Sequence, residues 1–66
     1  MVAKYYNVIL KCLKNEQVVW LKYRMVNRLN NLFELVEANG YKIDYVNLYD
    51  SKTKQKIESY AYSGRI

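Results

Sequence analysis

Histidine is absent from this sequence and cysteine occurs once, so the side chains able to do covalent chemistry are few. Catalysis requires a nucleophile with a base, paired acids, or a metal. The carboxylates are Glu16, Glu34, Glu37, Asp44, Asp50 and Glu58, and each has an ordinary reading on a surface or in a turn. Two glycines leave no glycine-rich phosphate loop. A lone Cys12 excludes an intramolecular disulfide and a cysteine–histidine zinc site. It fits a small buried hydrophobe in a reducing, cytoplasmic setting. The residues predict no enzyme, no cofactor and no metal.

What remains is binding chemistry. Eleven Lys and Arg against six Asp and Glu give a net charge of +5, and there are eight tyrosines. Such a balance favours an anionic partner, at a density well below that of a nucleic-acid-binding tail. Lys52, Lys54 and Lys56 cluster between two strand-like runs, either as a solvated loop or as phosphate contacts. Lys54 also occupies a position where such loops often carry glycine. Arg24 and Arg28 stand four apart at the expected start of a helix, where like charges repel and the dipole disfavours cations. Either they pair with carboxylates such as Asp44 or Glu58, or they await an anionic partner.

The elements that position these groups follow from hydrophobic period. Tyr5 to Leu13 (YYNVILKCL) is β-branched and aromatic, with Tyr6, Val8, Leu10 and Cys12 on one face. The polar cluster Lys14–Gln17 marks a turn, and Val18 to Tyr23 resumes strand composition, predicting a hairpin. Met25, Leu29, Leu32 and Val36 then recur at helical spacing, widened by Val26 and Phe33. Asn39-Gly40 ends that stripe. Two further strand-like runs flank a loop in which Asp50 is placed to accept from backbone amides.

The expected domain is therefore single and α+β: ββαββ, one amphipathic helix packed on an antiparallel sheet. Strands are predicted over about 4–13, 18–23, 41–49 and 55–62, a helix over about 24–39 and a frayed tail over 63–66. The alternative is βαββ, with a longer helix starting near Val18. No apolar run reaches the roughly 18 residues of a membrane span, and Lys4, Lys11 and Lys14 break any secretory pattern. A chain of 66 residues buries only about 60% of its unfolded surface, so its core supplies about 3–5 kcal/mol.

One helix covers one face of a sheet, yet the second pair of strands is apolar on both. Tyr41, Ile43, Tyr45 and Tyr49 are expected to point one way and Val46 and Leu48 the other, while Ile57 and Ala61 alternate with Tyr60 and Tyr62. The candidate partner-binding residues are Arg24, Arg28, Tyr45, Tyr49, Lys52, Lys54, Lys56, Tyr60 and Tyr62. They support a small module that docks on a partner protein as an inhibitor or adaptor through a tyrosine-rich face and a basic helix start. The wealth of Lys, Asn and Tyr would suit an AT-rich genome, and the small size a phage or mobile element. The alternatives are single-stranded nucleic acid, with tyrosines stacked on bases and cations on phosphates, or a homodimer with no other partner.

Overall fold

The structure is a computed structural model that describes residues 4–62. Its elements are β1 (Tyr6–Lys14), β2 (Gln17–Val26), α1 (Leu29–Ala38), β3 (Lys42–Asp50) and β4 (Lys56–Ala61). They form a ββαββ domain with one four-stranded antiparallel sheet in the order β2-β1-β3-β4. Since β2 and β3 both run antiparallel to β1, they run parallel to each other. The chain must cross from one end of the sheet to the other between them, and α1 makes that crossing. The tail expected over 63–66 lies outside the described residues.

The first hairpin closes through two residues, Asn15 and Glu16, with φ of 52° and 65°. Positive φ at both centres is the mirror-image turn whose twist matches the strands it joins. Asparagine tolerates that conformation; glutamate does so at a cost. The second hairpin closes around Asp50. Its Oδ1 accepts from the amides of Lys52 and Thr53 at 2.8 and 3.0 Å, as aspartate in turns is expected to do.

The helix is shorter than its periodicity suggests. It begins at Leu29, and residues 24–26 belong to β2. Tyr6 pairs with Val26 and Val8 with Tyr23, so Arg24 and Met25 together stand opposite Asn7 in a β-bulge. Met25 takes the extra turn at φ 56° and donates its amide to Asn7 Oδ1 at 3.4 Å. Its side chain is 60% exposed, so it is no part of the helical stripe. Arg24 is thus a strand residue and Arg28 the helix N-cap, which removes the expected repulsion between them on one helix face. Arg28 supplies no capping side chain, and the first turn has no acid.

The other end of α1 is better finished. Gly40 at φ 90° donates to Glu37 O at 3.0 Å, and Tyr41 donates to Val36 O at 3.3 Å. These two bonds make the left-handed glycine cap. Lys14 Nζ donates to Asn39 O at 3.3 Å and lies 4.4 Å from the centre of the Tyr41 ring. A cation at the negative end of the helix therefore ties the first hairpin to the helix terminus.

Leu32, Phe33 and Val36 bury the helix face against Val8, Leu10 and Cys12 of β1 and Ile43, Val46 and Leu48 of β3. Ile43 departs from the expected alternation. Lys11 pairs with Tyr45 but Cys12 with Ile43, so a bulge at Asp44 turns Ile43 to the helix side. Tyr62 N–H donates to the bulged Asp44 carbonyl at 3.0 Å. The Tyr62 ring meets Phe33 edge-on, with centroids 5.1 Å apart.

Two stability measurements follow. Phe33→Ala should cost about 3–5 kcal/mol in urea titration, comparable with the whole core contribution. Arg28→Asp should add about 1 kcal/mol by providing the missing cap. A neutral Phe33→Ala or a destabilising Arg28→Asp would contradict the helix placement.

Candidate binding face

The helix covers one side of the sheet, and the residues on the other side can be read row by row from the pairing, because directly opposed residues share a face. Trp20, Lys11, Tyr45 and Ala61 form one row. Lys22, Ile9, Asn47 and Ser59 form the next. Asn7, Tyr49 and Lys56 follow, with Arg24 beside Asn7 at the bulge. Val18, Leu13 and Lys42 close the opposite end.

Polar contacts fix the middle of this face. Ser59 hydroxyl donates to Asn47 Oδ1 at 2.7 Å, and Asn47 Nδ2 donates to the Ile9 carbonyl at 3.4 Å. Lys11 Nζ lies 3.8 Å from Asp44 Oδ2. That exposed pair contributes little stability, but it offsets the one carboxylate beside the central rows. The aromatic rings are left accessible: Trp20 is 57% exposed and Tyr45 38%.

Cations gather toward the end of the face bearing Tyr49. Asn7, Ile9, Lys22, Arg24, Tyr49 and Lys54 line a shallow groove of about 210 Å³. Among the described residues, Lys22, Arg24 and Lys54 have no carboxylate in ion-pair range. Lys54 reaches the groove from the second hairpin, where it holds φ 67° and donates from Nζ to Ser51 O at 3.0 Å. Glycine would take that conformation with less strain. Asp50 stands at the base of that hairpin with its carboxylate bonded to backbone amides, whereas Glu34 and Glu37 are exposed on α1 and Glu58 stands opposite Leu48 on the helix side.

The candidates named from the sequence thus separate. Tyr45, Tyr49, Arg24, Lys54 and Lys56 come together on or beside the open face. Lys52 stays exposed in the hairpin loop, and Arg28 sits at the helix start beside Tyr6 and Asn27, in a separate hollow. Tyr60 and Tyr62 pack under the helix with the core. Burial pushes the Tyr60 phenol above its ordinary value, with a smaller push from Glu58. Trp20, Lys11, Lys22 and Asn7 complete the face and were not singled out by sequence reasoning. Their signal was the alternation Val18, Trp20, Lys22, Arg24, which is hidden once Arg24 is assigned to a helix.

Cys12 is fully buried on the opposite side, and burial pushes its thiol up, away from the nucleophilic form. Among the described residues no three His, Cys, Asp or Glu side chains gather as metal ligands. In comparisons with known proteins, the chain matches no family model, no curated protein and no solved structure.

The loop that presents Lys54 depends on the ionised Asp50. Hydrogen bonds from the Thr53 and Lys52 amides hold its carboxyl below the ordinary value, aided by the charges of Lys4 and Lys52. Its contribution to stability is complete above the unfolded value of about 3.9 and disappears as pH falls through the lower folded value. Asp50→Asn keeps an oxygen acceptor but cannot titrate, so acid unfolding of this variant should show a flatter pH dependence below about pH 4. An unchanged acid profile would contradict this role.

Proposed function

We propose that the protein is a non-catalytic binding module whose open sheet face takes single-stranded nucleic acid. The observation that supports this most is segregation: Trp20, Tyr45 and Tyr49 share the uncovered face with Lys22, Arg24, Lys42, Lys54 and Lys56, whereas Glu34, Glu37 and Glu58 lie on the helix side and Asp44, beside the face, is paired with Lys11. Aromatic rings stack on unpaired bases of any sequence, and neighbouring cations neutralise the phosphates between them. Tyr45 and Tyr49 lie on the same strand, four residues apart, which at about 3.4 Å per residue separates their positions by roughly 14 Å. That distance suits bases that are not immediate neighbours. Asn7 and Asn47 add polar contacts on the same surface.

A second reading keeps the same face for an acidic protein that the module inhibits or recruits. It is favoured by the apolar end of the face, where Val18 and Leu13 lie beside the exposed Trp20. Tryptophan is prominent among residues that anchor protein interfaces.

Salt separates the two. With about five phosphate contacts, binding of a fluorescent oligothymidylate should fall with a log–log salt slope near −3.5. Tyr49→Ala and Tyr45→Ala should each cost about 1–3 kcal/mol of affinity. Arg24→Gln should make the slope shallower by about 0.7. No oligothymidylate binding at low salt, together with nuclease-resistant capture of a host protein, would replace the nucleic-acid reading with the protein one.

A further inference from the structure

We propose that β2 pairs antiparallel with β2 of a second copy of the chain, about a two-fold axis at Trp20, joining two sheets into one of eight strands. The proposal goes beyond the function above and is independent of which ligand the face takes. β2 is an edge strand of ten residues, and among the described residues nothing pairs with its outer side. Both of its faces are incompletely covered: Val18 and Trp20 are 54% and 57% exposed on one, and Val19, Leu21 and Tyr23 are half-buried on the other. An edge of this length with no proline is a template for another strand.

Hydrogen-bond alternation decides how a copy would fit. The two-residue turn makes Lys14 and Gln17 the first bonded pair of the hairpin. Alternation then turns the backbone groups of Val19, Leu21 and Tyr23 toward β1 and those of Val18, Trp20 and Lys22 outward. Before the bulge, the regular part of β2 runs from Gln17 to Tyr23, and its midpoint is Trp20. A two-fold axis there uses that entire stretch. It sets Gln17 against Tyr23, Val18 against Lys22, Val19 against Leu21, and Trp20 against itself.

Charge favours the same register. Just beyond the paired stretch, Glu16 of each copy comes opposite Arg24 of the other, placing opposite charges at both ends. Moving the axis to Lys22 would set lysine against lysine, and moving it toward Val18 would shorten the ladder. The outward groups all carry side chains of the open face. A dimer in this register therefore makes that face continuous and sets Trp20 beside Trp20 of the other copy, and Val18 beside Lys22, at its centre.

Sedimentation of the full chain should show a monomer–dimer equilibrium between micromolar and submillimolar concentration. Glu16→Arg should weaken dimerisation by about tenfold, and combining it with Arg24→Glu should restore it. Trp20→Cys should form an intermolecular disulfide on mild oxidation, while Lys22→Cys, far from its own mate in this register, should not. Cys12 is buried and does not compete. A chain that stays monomeric, a dimer indifferent to the charge exchange, or equal crosslinking at both positions would overturn the proposal. A monomer that still binds oligothymidylate would do so while leaving the proposed function standing.

Discussion

A four-stranded sheet has two faces and the described residues form one helix, and most of the molecule follows from that inequality. The core of the described residues forms on the helix side, and β1 is at its centre: Val8, Leu10 and Cys12 are completely buried there. Cross-strand neighbours complete the layer, with Val46 and Leu48 on β3 and the partly buried Leu21 and Tyr23 on β2. Losing apolar contact between α1 and this layer would remove the means by which so short a chain offsets its conformational entropy. The other face is left to solvent or to a partner.

The chain treats its two faces differently. Beneath the helix, Cys12 stands opposite Ile43, which the bulge at Asp44 turns inward. On the open side, aliphatic residues are interrupted by Asn7, Lys11, Lys22, Asn47 and Ser59. Charged and amide groups in the centre of a surface are a poor match to the apolar centre of a protein interface. They are compatible with a ligand that is itself a charged, partly hydrated strand. On this contrast we propose nucleic acid ahead of protein as the occupant of the face.

Fold class was legible because it rests on redundant signals. The two hairpins, the Leu29–Val36 stripe and the Asn39-Gly40 stop together announce a ββαββ order. Three local departures were not legible, and all are bulges. Inserting one residue exchanges the faces of everything beyond it, and nothing in composition marks where that happens. The bulge at Arg24 and Met25 extended β2 into what reads as helix, since Met25 and Val26 match a helical period by coincidence. The bulge at Asp44 parted Ile43 from Tyr45. Another, at Ile57 in β4, sets Lys56 opposite Tyr49. The candidate site was correspondingly half visible: Tyr45, Tyr49 and the hairpin lysines stand out by type, whereas Trp20 and Lys22 join them only once strand register is known.

Amide chemical-shift mapping during titration with an oligothymidylate at low salt tests the division between a packed face and a binding face most directly. The account predicts saturable shifts at Lys22, Arg24, Tyr45, Tyr49 and Lys54, with Leu32, Phe33 and Val36 unmoved. Shifts centred on α1, or none at any ligand concentration, would contradict it.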